Sequence, residues 1–284
     1  MLSFPIVDTH VHLWDPNRIS YPWLNNIPSL NQPYLLEDFN RAAGPVQVDK
    51  IVFLQCDCAF ADSMAEAEWV TGLAAQDPRI EGMVPWAPLE AGDGARPYLE
   101  KLAANKLVKG VRRLIQSEPV DFCLRPDFVK GVQALADFGL SFDICIYHIQ
   151  LANTVQLVKQ SPQVSFILDH IGKPDIKNQL FEPWRAELKA LSELPNVWCK
   201  ISGLVTEADH QNWTREDLKP YIDHVIDCFG FGRVMYGGDW PVSTLATDYP
   251  RWVETLLWAV EGASEAELRK LFRENAIKFY RLPN

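Results

Sequence analysis

The sequence predicts an α/β fold, a TIM-type (β/α)8 barrel formed as a single domain over residues 1–284. Three observations predict it. Eight short apolar segments rich in β-branched residues alternate with longer stretches of helical periodicity, which implies parallel strands joined by helices. The polar residues of those segments gather at their C-terminal ends, where barrels of this kind keep their chemistry. The length of 284 residues suits the roughly 250 that one such unit uses.

The predicted strands are 5–11, 50–56, 80–88, 107–115, 140–147, 164–169, 196–202 and 232–238. Helices are predicted over 62–77, 95–105, 126–138, 151–160, 182–193, 214–229 and 248–260. In the first of these Asp62 or Ser63 can cap, and Trp69, Val70 and Leu73 contribute to an apolar stripe. A final helix is marked by the capping box Ser264-Glu265-Ala266-Glu267, followed by Leu268, Leu271, Phe272 and Ile277, and is expected to cover the last strand. Segment 14–40 has weak periodicity and reads as a loop able to wall a pocket. No internal repeat, low-complexity tract or linker divides the chain.

Composition narrows the function classes. Hydrophobic residues make up 48% and charged residues 23%, the balance of a globular protein with a sizeable core. A net charge of -10, with no dense Lys and Arg cluster, argues against nucleic acid and anionic membranes as partners. No apolar run spans a bilayer and no secretory leader is evident, so a cytoplasmic protein is expected. The six cysteines show no C-x-x-C spacing and read as reduced core residues.

His10 and His12 close the first strand two residues apart, so on an extended backbone they share a face. Two readings stand at that point: a metal-binding pair, or ordinary half-buried histidines. Later strands end on further polar residues: Arg112 and Arg113, His148, Asp169 and His170, Lys200, and Asp239. Stretches such as Ile51-Val52-Phe53-Leu54 and Phe166-Ile167-Leu168 stay apolar until their last residues. Chance placement would scatter polar residues through the strands.

Val7-Asp8-Thr9-His10-Val11-His12, Leu168-Asp169-His170-Ile171-Gly172-Lys173-Pro174, Lys200-Ile201-Ser202-Gly203-Leu204, Gly237-Gly238-Asp239-Trp240-Pro241 and the Asn275-Ala276 helix together resemble the amidohydrolase (metal-dependent hydrolase) superfamily of amidohydrolase-2 type. More narrowly they are similar to its sugar-lactone hydrolases, related to L-fuconolactone and L-rhamnonolactone lactonases and to 2-pyrone-4,6-dicarboxylate lactonase. The resemblance runs from residue 7 to about residue 280. It implies that His10, His12 and His170 form an imidazole cluster and that Asp239 handles the reacting water's proton. The same four residues would hold one divalent metal ion, with Zn²⁺ the natural choice, although the pyrone-dicarboxylate branch works without metal. Arg112 matches the strand-four arginine and is the substrate-binding candidate, while His148 is a candidate ligand or pocket residue on strand five.

The chemistry also follows from residue types. Three imidazoles, a carboxylate and an open position suit one Zn²⁺, which brings the pKa of its water to about 7. Asp239 could then take a proton from water and return it to a leaving alkoxide. Only Arg112 is well placed to meet a carboxylate, which favours a neutral polyhydroxylated lactone over a dicarboxylate. Trp23, Trp86, Lys200 and Trp240 are candidate contacts for its ring and hydroxyls; each tryptophan could equally be packing, and Lys200 could pair with Asp169. Arg113 reads as a salt bridge to a surrounding helix, and His210 and His224 as surface or packing residues. The predicted function is lactone hydrolysis giving an aldonic acid. The competing readings are a non-oxidative decarboxylase of the same superfamily, a pyrone-dicarboxylate-type lactonase, and a non-catalytic sugar-binding barrel. The partner is a small-molecule lactone, and the sequence is compatible with a homo-oligomer.

Overall fold

The computed structural model describes residues 2–283. Eight βα units follow one another: β1 (Ile6–Val11) and α1 (Leu36–Ala43), β2 (Val48–Leu54) and α2 (Ser63–Ala74), β3 (Ile80–Val84) and α3 (Arg96–Ala103), β4 (Gly110–Val111) and α4 (Pro126–Ala134). They continue with β5 (Ser141–Ile144) and α5 (Leu151–Gln160), β6 (Phe166–Leu168) and α6 (Trp184–Ser192), β7 (Val197–Ile201) and α7 (Arg215–Phe229), β8 (Val234–Tyr236) and α8 (Tyr249–Ala259). Neighbouring strands pair in parallel in two runs, β1 to β3 and β4 to β8.

Two seams join these runs into a barrel. Between β3 and the chain entering β4, Met83 N–H donates to Leu107 O (2.8 Å) and Lys109 N–H to Met83 O (3.0 Å). Between β8 and β1, Asp239 N–H donates to His10 O and His12 N–H to Trp240 O, both at 2.8 Å. The second seam therefore fixes the backbones of four candidate residues, His10, His12, Asp239 and Trp240, against one another.

All eight predicted strands are present. The fourth is much shorter than 107–115: its pairing with β5 covers only Gly110 and Val111, and Gly110 lies so close to Ser141 that a Cβ there would collide with it. Segment 14–40 also differs from expectation. It carries a 3-10 turn at Pro22–Asn26, an antiparallel bridge between Trp14 and Tyr34, and the start of α1. This helix has only 8 residues and buries only Phe39 and Ala43, too short a stripe for a periodicity argument to find.

The terminal segment forms helix at Glu265–Arg269 and Asn275–Tyr280, joined by a π turn over Lys270–Glu274. Its capping box forms: Ser264 N–H donates to Glu267 Oε2 (2.8 Å) and Glu267 N–H to Ser264 Oγ (3.3 Å). Phe272 packs on Tyr236 of β8, as expected. Beyond that, Phe279, Tyr280 and Leu282 enter the barrel and pack with Val7, Val52, Leu54, Val84, Ile167 and Met235. The tail thus closes the end of the barrel opposite the histidines, each large side chain contributing about 1.5–3 kcal/mol by burial. Among the described residues, no helix is long and apolar enough to cross a membrane.

Candidate active site

Simple alternation along β1 would put Val7 and His10 on opposite faces, yet both face the barrel interior. The ladder explains it: between Asp8 and Val11 the chain advances three residues while β2 advances only from Ile51 to Phe53. A bulge absorbs the extra residue and turns His10 and His12 inward. Asp8 holds this bulge, its Oδ1 accepting from His10 N–H (2.9 Å) and Gly238 N–H (2.8 Å), and its Oδ2 from Tyr249 O–H (2.7 Å).

Above the bulge the predicted residues converge. Asp239 Oδ1 lies 3.6 Å from His10 Nε2, 3.5 Å from His12 Nε2 and 4.0 Å from His170 Nε2. All four residues are buried, and His10, His170 and Asp239 place ligand atoms close enough together to hold a metal ion. Gly203 makes the approach possible: it has φ +65°, and a Cβ there would collide with His170 Nδ1 and reach within 2.9 Å of Asp239 Oδ2.

Hydrogen-bond partners assign the proton positions on two of the three rings. His12 Nδ1 is 2.9 Å from Leu54 O, which only accepts, so His12 carries its proton on Nδ1 and turns the Nε2 lone pair toward Asp239. His10 Nε2 lies 3.2 Å from Arg112 Nη1, which only donates, so it too presents a lone pair. His170 Nδ1 is 3.0 Å from Ser202 Oγ. Lone pairs facing a carboxylate oxygen repel unless a cation lies between them. The donor set therefore fits a divalent metal ion, with Arg112 already supplying some positive charge at His10.

Burial lowers the pKa values of His10 and His12 and brings that of His170 down to about 4, so all three imidazoles are neutral at pH 7. Burial alone would raise the Asp239 carboxyl, but the imidazole cluster led by His170 outweighs it and holds the group below the usual carboxylate range. A neutral imidazole cluster around an ionised carboxylate results.

Beneath the cluster runs a chain of buried charges. Asp169 Oδ2 accepts from Arg112 Nη1 (3.2 Å), and Asp169 Oδ1 pairs with Lys200 Nζ (3.0 Å). Lys200 also bonds Asp143 Oδ2 (2.7 Å), which accepts from Tyr280 O–H (2.6 Å). This connects the terminal helix to the histidines. Lys200 is thus wholly buried and paired, and it does not reach the cavity as a substrate contact would.

The cavity above Asp239 has a volume of about 250 Å³, below the usual range for drug-sized ligands and suited to a small one. Of the residues proposed from sequence as substrate contacts, Trp23 and Arg112 line it. Trp23 Nε1 donates to Cys56 O (2.8 Å), while Arg112 Nη2 is also held by Gln55 O (2.5 Å). Three other predicted contacts do not line it. Trp86 packs between Phe60 and Tyr98, and Trp240 is buried against Tyr34 and Phe39. His148 begins a 3-10 turn after β5 and turns Nδ1 to Lys173 O (3.1 Å), away from the cluster. Arg113 takes the outward role, paired with Glu90 and Glu118. His210 and His224 bond backbone carbonyls of Thr206 and Arg185 and do not themselves line the cavity.

Trp14 lines the cavity from the segment expected to wall a pocket, whereas sequence reasoning missed Asp57, Gln116, Cys145 and Lys173, which line it too. Lys173 lies within a quoted motif, but an extended strand end gives no hint of it. After β6 the chain instead makes a left-handed turn, with φ of 53° at His170, 51° at Ile171, 77° at Gly172 and 47° at Lys173. Only that turn brings Lys173 back over the same opening as His170.

A family model for amidohydrolases matches residues 7–282. Among curated proteins, the chain is 31% identical to the uncharacterized protein y4mH of Sinorhizobium fredii, covering 99% of this chain and 100% of that one. It is 30% identical to an L-fucono-1,5-lactonase of Burkholderia multivorans, covering 98% and 96% respectively. Among solved structures, an amidohydrolase from Burkholderia multivorans with bound zinc superposes with a TM-score of 0.88 at 29% identity, covering 99% of this chain and 100% of that one. Sequence, fold and the polar ring at the strand ends agree, and the chain belongs to the amidohydrolase family.

Proposed function

We propose that this protein hydrolyses the lactone of a small polyhydroxylated sugar acid. One observation carries the reading: three imidazole nitrogens converge within 3.5–4.0 Å of Asp239 Oδ1 at the floor of a small cavity walled by Trp14 and Trp23. The similarity to an L-fucono-1,5-lactonase over nearly the whole chain supports the substrate class. So does charge. Arg112 is engaged by Asp169, His10 and Gln55, leaving no pair of free arginines among the described lining residues to clamp a dicarboxylate.

Asp239 accepts a proton from water as its oxygen bonds the lactone carbonyl carbon. The resulting tetrahedral centre collapses by breaking the bond to the ring oxygen, and Asp239 returns the proton to that oxygen. Water has then added across one C–O bond, giving a hydroxy acid. The tryptophans offer faces against which the C–H side of a sugar ring packs, while Gln116 and Lys173 border the same space with polar groups. His10, His12, His170 and Asp239 would hold one divalent ion, Zn²⁺ in this reading, which when bound lowers the pKa of water to about 7 and polarises the carbonyl.

The test is acid release from a panel including L-fucono- and L-rhamnonolactones, with metal content measured on the same preparation before and after chelation. Turnover above the spontaneous rate on at least one member is the expected result. No release from any member, or carbon dioxide release from aromatic acids instead, overturns the reading.

A further inference from the structure

We propose that Lys173 is a catalytic residue of this site, placing its ammonium group against the negative charge that forms on the lactone carbonyl oxygen and, once the opened acid has ionised, against its carboxylate. The inference rests on the hydrolytic reading above and names a contact that the histidine and aspartate cluster does not supply.

Geometry is the first support. The turn that carries Lys173 places three non-glycine residues, His170, Ile171 and Lys173, in the left-handed region. That conformation is unfavourable for a residue with a Cβ and persists only where its surroundings determine it. Here they do: Trp184 Nε1 donates to Ile171 O (2.8 Å), Lys173 N–H to His170 O (2.9 Å) and His148 N–H to Lys173 O (3.3 Å). The strain has one visible product, which is that His170 and Lys173 face the same cavity.

Unused bonding capacity is the second support. An ammonium carries three donors. Lys173 Nζ donates to Gln116 Oε1 at 2.6 Å, and its nearest carboxylate oxygen, Glu207 Oε1, stands 3.9 Å away, beyond a hydrogen bond. The Tyr147 ring centroid lies 5.3 Å away on another side. A largely buried cation with one neutral acceptor in contact therefore has donors left for a ligand in the cavity it lines. Its partner Gln116 is also a cavity residue, so this pair belongs to the binding surface and is no mere surface bridge.

Charge is the third. Arg112 spends its guanidinium on Asp169, His10 and the Gln55 carbonyl. Lys173 is then the cation with donors to spare among the described lining residues. In the reaction it transfers nothing. The electron pair pushed onto the carbonyl oxygen by water attack returns to expel the ring oxygen, and the ammonium stays charged and stationary throughout.

The experiment compares the full-length wild type with Lys173→Met and Lys173→Arg. Calorimetry measures binding of an aldonate and of the matching alditol, which differ by the carboxylate; kcat and KM are measured on the corresponding lactone. For Lys173→Met the expected results are a fall in kcat of about 10²-fold, aldonate binding weaker by about tenfold or more, and alditol binding unchanged within about twofold. Lys173→Arg keeps aldonate binding ahead of alditol binding, and it carries the test if the methionine variant fails to fold. Equal weakening of both ligands, or an unchanged kcat, overturns the assignment. The binding arm needs no turnover. Lysine-dependent aldonate binding without hydrolysis would count against the reaction reading and for the anion contact, and hydrolysis with charge-blind binding would count the other way.

Discussion

The two ends of the barrel interior are built on the same eight strands and follow opposite chemistry. At the end closed by the tail, Val7, Val52, Leu54, Val84, Ile167 and Met235 meet Phe279, Tyr280 and Leu282 in an apolar plug. At the other, His10, His12, His170 and Asp239 surround an opening, with Arg112, Asp169, Lys200 and Asp143 beneath them. Apolar packing is non-directional and tolerates substitution by volume, whereas the buried charges must each be matched at hydrogen-bond distance. The plug therefore sets stability, and the charged floor sets geometry at a cost in stability.

Substitutions can break this division. Lys200→Met removes the charge shared by Asp143 and Asp169 and leaves two buried carboxylates with less compensation. It should cost about 3–5 kcal/mol of stability and also depress kcat, since Asp169 pairs with Arg112, which in turn bonds His10. Retained activity and melting temperature would show that the floor is not a connected unit. Met235→Ala should cost about 2–5 kcal/mol through the cavity it opens in the plug, yet leave kcat near wild type when assayed well below the melting temperature. A large loss of kcat there would show that the two ends are not separable.

The smallest effect in the neutral range is that of pH. His170 titrates in the folded protein at about 4, below the ordinary histidine value of 6.5, so the unfolded chain takes up its proton first. His170 thus costs nothing above pH 6.5 and subtracts stability as pH falls from there toward 4. Asp239, held below the usual carboxylate range, stays ionised across the same window. The melting temperature should therefore hold from pH 8 to 6.5 and fall as the pH drops from 6.5 toward 4. A melting temperature that does not fall over that window would contradict the buried, neutral His170.

What the sequence disclosed and what it hid follow the same boundary. Barrel class, strand number and the four central residues were legible, because strand periodicity is local and the chemistry sits at strand ends. The β1 bulge was not, since it depends on Asp8 meeting Gly238 across the closing seam, 230 residues away. Lys173 was hidden by a left-handed turn that no strand or helix pattern describes. Trp86 and Trp240 were credited to the cavity on residue type alone, and aromatic side chains serve packing as readily as binding. Asp143 was hidden inside an apolar strand, and its partner Lys200 became intelligible only once Asp143 and Asp169 flanked it.

The central claim is that ring opening depends on the single carboxylate at the centre of the imidazole cluster. It is tested most directly by acid release from L-fucono-1,5-lactone at pH 7 for the wild type and Asp239→Asn, each with its melting temperature recorded. The account predicts wild-type turnover above the spontaneous rate, a loss of about 10²–10⁴-fold in the variant, and a cooperative thermal unfolding transition for both proteins. An Asp239→Asn protein that is folded and turns the lactone over at the wild-type rate would contradict it.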